Sequence, residues 1–317
     1  MQRIEANIAG KGFARITLSD GHIEAVEQLG EEQPDKSTIA PGLIDLQING
    51  YAGVNFSDPD LGADDIDTLL NAVWATGTTT FLPTLISNTP AALEAAFSKL
   101  ESLRRENPRF AASVPGYHLE GPYLSTGPSA GAHKAEFMKN PDWDEFSRIS
   151  AAAGDRIVLV TIAPEWPGAE AFARKAVEHG IRVALSHTDG GPEDVRRLAT
   201  AGASMNTHLG NGCPQLLDRH TAPFWAQLAD DRLAAGLICD GFHLTPEMVQ
   251  IIARVKGPNR CILVTDAVFV AGLEPGPYEL VGKPIELLPT GQVVTADRRS
   301  MAGSTLDMAS AVGNFRK

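Results

Sequence analysis

The 317-residue sequence is short of cysteine, of positive charge and of long apolar runs. Cys213, Cys239 and Cys261 are odd in number and widely spaced, and they form no Cys-x-x-Cys site. They read as reduced thiols of a cytoplasmic protein. Lys and Arg number 27 against 39 Asp and Glu, a net charge of −12 with no basic cluster. That argues against nonspecific nucleic-acid binding, although a few local donors could still hold an anionic small molecule. No apolar stretch approaches the ~20 residues of a membrane span. The opening MQRIEANIAGKGFARI lacks a basic region followed by an apolar one, so no signal peptide is evident. No repeat or low-complexity segment occurs, and no Gly-x-Gly-x-x-Gly follows a first strand. What is present is ordinary globular composition, 43% hydrophobic and 21% charged, of a length suited to two domains or one large barrel with an appendage.

Residues 1–40 read as short strands, RIEANIAG, ARITLSD and HIEAVEQL, with a turn at Asp20-Gly21. From Pro41 the rhythm changes. Strands are expected at 42–48, 78–85, 113–120, 157–164, 182–188, 204–210, 233–240 and 261–267. Helical patterns lie between them at 64–77, 91–106, 169–180, 192–202 and 245–257. Gly77 suits the end of the first, and Thr245-Pro246-Glu247 suits the start of the last. Alternating strands and helices predict an α/β fold, a (β/α)8 TIM-type barrel over residues 41–317, with a β-hairpin insertion near 277–300. A small, incomplete β-sandwich is expected from residues 1–40, with the 277–300 region as a candidate contributor.

A barrel of this kind keeps its chemistry at the C-terminal ends of its strands. Those ends carry Gln47 and Asn49, His118 and Glu120, His187, His208, Asp240 and His243, and Asp266. Half of the eight histidines fall there. A lone strand-end histidine usually caps or packs, and His22, His179 and His220 fit such roles. One fold, however, would bring the others to one mouth. Glu120, His187 and His208 form the best metal set, one carboxylate and two imidazoles with a position left open, as in a catalytic zinc site. Fe, Co or Mn could occupy the same set. Asp266 is placed to take a proton from a metal-activated water and pass it to a leaving amine. His133 and His243 could donate to substrate or to a developing oxyanion. The reaction class is metal-assisted amide hydrolysis.

The stretches PGLIDLQINGY, GTTTFLPTLIS, HLEGPYLS, GAHKAEF, LSHT, THLGNGCP, DGFHLTPEMV, LVTDAV and MAGSTLDM run in order from Pro41 almost to the C-terminus. Jointly they resemble the amidohydrolase superfamily and, within it, the N-acetylglucosamine-6-phosphate deacetylase family. The resemblance implies metal binding by Glu120, His187 and His208, with Asp266 as acid and base. It implies substrate contacts from Ala132, His133, Asn211, Gly212, Arg219, Asp240, His243, Met301, Ala302 and Gly303. Arg219 has the family spacing for the arginine that meets phosphate. Gln47-x-Asn49 is similar to the branch that holds one metal ion where other members have His-x-His and two. The implied reaction converts N-acetylglucosamine 6-phosphate to glucosamine 6-phosphate and acetate. A homodimer is implied with it; the cytoplasmic location rests on the thiols, and neither nucleic acid nor membrane is an expected partner.

The chain departs from the family at the sugar-phosphate end. The usual THLFNAM is THLGNGCP, so Gly210 replaces an aromatic, Gly212 a methyl and Cys213 a methionine. Arg-Glu-Pro-Gly becomes Arg219-His220-Thr221-Ala222. The resembled enzymes continue beyond the GNFRK at which this sequence stops, and strands missing from the small domain would favour cover by a second chain. These departures leave two alternatives open. One is hydrolysis of another N-acyl amino sugar, phosphorylated or not, or of another amide. The other is a non-catalytic sugar-phosphate-binding barrel.

Overall fold

Residues 1–316 are described by a computed structural model, and the chain divides into two units, Met1–Gly42 and Leu43–Lys317. In the first unit β1 (Gln2–Ile8), β2 (Gly12–Ser19), β3 (His22–Gly30) and β4 (Thr38–Ile39) form one sheet in the order β3-β2-β1-β4. The expected β-sandwich is thus present as a single sheet. Positive φ at both Asp20 and Gly21 (51° and 77°) makes the tight turn that a two-residue hairpin requires. Asn7 pins the following loop, accepting from the Gln33 amide at 2.8 Å and donating to the Gln33 carbonyl at 2.7 Å.

In the second unit, the barrel strands are β5 (Leu43–Ile48), β8 (Thr78–Ile86), β9 (Tyr117–Glu120), β10 (Ile157–Ile162), β11 (Arg182–Leu185), β12 (Met205–Asn206), β13 (Ala234–Leu237) and β14 (Cys261–Leu263). They lie in sequence order in one parallel eight-stranded sheet. A short hairpin of β6 (Gly50–Tyr51) and β7 (Val54–Asn55) follows the first. Closure comes past the ends of β5 and β14. The Asp266 amide donates to the Gln47 carbonyl at 2.9 Å, and the Asn49 amide donates to the Ala267 carbonyl at 2.7 Å.

Helices α1 (Ala63–Ala75), α2 (Pro90–Glu106), α3 (Pro108–Ser113), α4 (Trp143–Ala152), α5 (Ala169–Glu178), α6 (Pro192–Thr200), α7 (Pro223–Ala229), α8 (Pro246–Lys256) and α9 (Met308–Phe315) connect or follow the strands. Their apolar faces, among them Leu69, Phe97, Phe146, Phe172 and Leu198, bury against the sheet. Thr245 caps α8 by accepting from the Met248 amide. The strand expected at 113–120 is shorter, because Pro108 and the Asn107 cap extend helix to Ser113. Where a hairpin is expected near 277–300, three antiparallel strands form a meander: β15 (Gly276–Leu280), β16 (Lys283–Leu287) and β17 (Val293–Thr295). This meander belongs to the barrel unit.

Strand periodicity builds the barrel interior in layers. Leu82, Leu159, Ala184 and Met205 form one apolar cluster. Two residues further along each strand stand Thr84, Thr161, Ser186 and Thr207, all buried and polar. Buried His118 completes this layer, with Nε2 2.7 Å from Thr161 Oγ1 and Nδ1 3.4 Å from Thr84 Oγ1. Burial drives its pKa down to about 4, so it stays neutral. His118 therefore belongs to the layer beneath the strand ends, not to the candidate metal site.

Candidate active site

One further step along β9, past His118, alternation places Glu120 on the same inner face. His187 and His208 arrive differently. Ser186 and Thr207 already face inward, so strict alternation would turn the next residues away. Both histidines instead take left-handed backbone, φ 46° at His187 and 30° at His208, which ends the alternation and turns the imidazoles onto Glu120. Asp266 beyond β14 shares this conformation (φ 50°). Each such residue costs about 1–3 kcal/mol, a strain typical of functional sites.

Glu120 Oε1 lies 2.8 Å from His208 Nε2 and 3.4 Å from His187 Nε2, and the two Nε2 atoms are 3.2 Å apart. Two ligands of a tetrahedral ion with bonds of ~2.0–2.2 Å lie roughly 3.3 Å from one another. The triangle therefore fits one divalent ion, and these three residues form the metal-type cluster found among the described residues. Surrounding groups fix the ligand atoms. His187 Nδ1 donates to the Ser129 carbonyl at 2.8 Å, which leaves the Nε2 lone pair for the shared point. His208 Nδ1 is 3.3 Å from Ser186 Oγ. Burial works against charge on Glu120, but hydrogen bonds from His187 and His208 hold its pKa well below the usual carboxylate range. Burial likewise opposes charge on His208, yet Glu120 raises its pKa.

Gln47 and Asn49, at the end of β5, both reach the carboxylate of Asp266, and Gln47 also reaches Glu120. Gln47 Nε2 donates to Glu120 Oε2 and to Asp266 Oδ1, each at 3.0 Å, and Asn49 Nδ2 donates to Asp266 Oδ1 at 2.7 Å. Burial first, and the charge of Glu120 second, raise the Asp266 pKa to about 6.

The site floors a cavity of about 530 Å³. Asn49, Glu120, Ala132, His133, His187, His208, Asn211, His243, Asp266, Met301, Ala302 and Gly303 all line it. His133 Nδ1 lies 2.9 Å from Ser87 Oγ and its ring packs edge-on to His187; burial holds its pKa down to about 3. Asp240 stands behind the wall, its Oδ2 2.6 Å from His243 Nδ1 and its Oδ1 accepting the Phe242 and His243 amides. Gly212 also stands behind it, and a Cβ there would meet Ser186 Oγ at 2.0 Å and the His187 amide at 2.4 Å. It is glycine because the 208–213 loop packs directly on the ligand strand. Gly303 is glycine for a similar reason, since a Cβ would press on the Asp266 carbonyl at 2.9 Å. Arg219 is exposed, lies outside the cavity wall and makes no ion pair among the described residues.

Sequence reasoning passed over Asp189. This carboxylate accepts from the hydroxyls of Ser125 and Ser129 and, at 3.2 Å, from the Ser129 amide, so it shapes the loop whose carbonyl holds His187. Its place two residues after His187 was the available signal.

A parallel eight-stranded barrel with a His-His-Glu metal-type set and a strand-end aspartate defines an amidohydrolase-type enzyme. No protein-family model matches the chain. It is 30% identical over 304 residues to N-acetylgalactosamine-6-phosphate deacetylase of Escherichia coli O157:H7, spanning 95% of this chain and 78% of the relative. To N-acetylglucosamine-6-phosphate deacetylase of Homo sapiens it is 32% identical over 288 residues, 87% of this chain and 68% of the relative. A solved structure of N-acetylglucosamine-6-phosphate deacetylase from Mycobacterium smegmatis, a mutant in complex with N-acetylglucosamine 6-phosphate, superposes with a TM-score of 0.87 at 28% identity. It covers 99% of this chain and 83% of that one. The chain belongs to the N-acetylglucosamine-6-phosphate deacetylase family, and it is a hydrolase of amide carbon–nitrogen bonds.

Proposed function

We propose that this enzyme removes acetate from N-acetylglucosamine 6-phosphate to give glucosamine 6-phosphate. The observation that carries the reading is the Glu120–His187–His208 triangle with Asp266 beside it, bridged by Gln47. A single divalent ion held by the triangle, zinc with Fe, Co or Mn as alternatives, would polarise the scissile carbonyl and acidify a water. The remaining work falls to the chain's own residues. Asp266 Oδ1 is occupied by the amides of Gln47 and Asn49, so Oδ2 is the atom that takes a proton and returns it to the leaving amine. Neutral His133 donates to the substrate. Asp240 locks the His243 ring so that Nε2 faces the cavity. Asn211 and the 301–303 segment contact the sugar.

A second reading, the galactosamine epimer, is favoured by the E. coli relative and by the altered Gly210–Cys213 loop. Acetate release from N-acetylglucosamine 6-phosphate, N-acetylgalactosamine 6-phosphate and unphosphorylated N-acetylglucosamine tests both. Fastest turnover of the first is expected; release from none of them rejects the deacetylase reading. Metal analysis should give one ion per chain, and two would reject the one-metal assignment. A homodimer is proposed as well. Its support is exposed apolar side chains at Leu216, Trp225 and Phe242, and at Ile251 and Val255 one turn apart on α8. No helix among the described residues is long and apolar enough to cross a membrane. The three cysteines are unpaired, which supports a reducing, cytoplasmic setting.

A further inference from the structure

We infer that Lys283, at the start of β16, is the positioning residue that holds His133 over the site; this rests on the reading above that His133 donates to the substrate. The loop after β9 is anchored at two points. At the first, Asp189 holds Ser129, whose carbonyl fixes His187. The second lies at the peptide unit between Ala132 and His133. Its N–H, that of His133, donates to the Ala130 carbonyl at 3.2 Å. Its carbonyl, that of Ala132, accepts from Lys283 Nζ at 3.1 Å. A peptide unit is planar, so holding both of its polar groups fixes the plane and the place of the His133 Cα. Ser87 Oγ, 2.9 Å from Nδ1, then steadies the ring.

The turn that presents Lys283 is strained. Leu280 pairs with Lys283, which leaves Val281 and Gly282 as a two-residue hairpin loop. Both have positive φ, 50° and 68°, as such a loop requires. Glycine takes that conformation freely, whereas a β-branched valine rarely does. Val281 and Ala132 pack against one apolar cluster, which includes Leu280, Ile285 and Ala302. Lys134 Nζ lies 2.9 Å from where a Cβ on Gly282 would stand. The meander therefore meets the loop on both sides of His133, at Ala132 and at Lys134.

Space around the loop gives the contact its importance. A second cavity of about 240 Å³ is lined by Gly131, Lys283, Thr295 and Asp297. Gly131 lines this cavity and the active-site cavity alike. With open volume at both, the loop has room to shift unless something ties it, and the charged hydrogen bond from Lys283 is such a tie. A small displacement of a substrate-facing donor is enough to cost rate.

The test uses the amino-sugar 6-phosphate that the wild type turns over fastest. Acetate release is measured for the wild type, Lys283→Met, Lys283→Arg, His133→Ala and the double variant, with metal affinity from chelator competition and urea midpoints beside it. Lys283→Met should lower kcat/KM about tenfold, the scale of one hydrogen bond from a charged group. Lys283→Arg should recover part of the loss. Metal affinity should be unchanged in Lys283→Met, because the Ser129 anchor of His187 is intact. In the His133→Ala background, Lys283→Met should add little, since the group it positions is gone. A further tenfold loss in that background, a parallel loss of metal, or a lowered urea midpoint with unchanged kcat/KM would overturn the inference. If His133→Ala keeps wild-type kcat/KM, the reading of His133 falls and takes this inference with it.

Discussion

The side-chain amide of Asn49 lies 2.7 Å from Oδ1 of Asp266, and in making that contact Asn49 leaves its own Oδ1 buried without a hydrogen-bond partner among the described residues. The Asn49 amide is therefore spent on orienting one carboxylate. Replacing Asp266 with Asn keeps an oxygen for Asn49 and Gln47 and removes only the proton-accepting atom. Asp266→Asn should bind metal as the wild type does and lose about 10²–10⁴ in kcat. Steady-state kinetics beside metal analysis checks this; an unchanged kcat would remove Asp266 from the chemistry.

Asp189 should act on the metal at one remove. It holds Ser129, whose carbonyl fixes the His187 ring. Asp189→Ala should weaken metal binding about 10–100-fold. Asp189→Asn, which can still accept from the Ser129 amide, should recover much of the loss. Competition with a chelator measures both, and wild-type affinity in Asp189→Ala would show that the loop needs no such anchor.

Asp45 should make the barrel more stable in mild acid than in alkali. It is fully buried, and burial raises its pKa from 3.8 to about 7, although Thr265 and the Gln47 amide oppose the shift. The folded state then keeps a proton that the unfolded chain has lost. Stability from this group is complete below pH ~4 and falls as pH rises to about 7, by on the order of 4 kcal/mol. Asp45→Asn removes the titration. Urea midpoints at pH 5 and pH 8 should therefore favour the variant over the wild type more at pH 8. A constant difference between the two would mean that Asp45 is ionised throughout.

Lys256 is a buried cation with a purely structural task. At the end of α8 its Nζ donates to the carbonyls of Gln227, Asp230 and Leu233 at 2.6, 2.8 and 2.8 Å. Lys256→Met retains the stem and strands three acceptors. It should cost at least ~3 kcal/mol in urea unfolding. A cost below ~1 kcal/mol would mean that water replaces the amine.

The barrel was legible because its strands are short apolar runs with helical patterns between them, and Leu82 or Leu159 repeat at the expected spacing. Glu120 was legible by alternation from His118. His187 and His208 were legible only as strand-end residues, because the left-handed turns that aim them inward arise from tertiary packing and leave no periodic trace. The boundary at 113–120 was misread because Pro108 starts a helical turn within a segment of strand-like composition. Val281-Gly282-Lys283 reads as a solvated hairpin end, and nothing local says that its lysine meets Ala132, far away in the sequence. Arg219 shows the converse, a motif spacing that does not by itself bring a side chain to the cavity wall.

The backbone bonds that close the barrel run through Gln47, Asn49, Asp266 and Ala267, whereas the three metal-type ligands sit on strands away from that seam. In the proposed mechanism, ion capture and proton transfer are thus assigned to different parts of the sheet. A molecule frayed at the seam would still carry its ion while lacking an aligned Asp266. Metal content would then overcount competent centres, and an active-site titration would be the sounder measure of how much of a preparation can turn over.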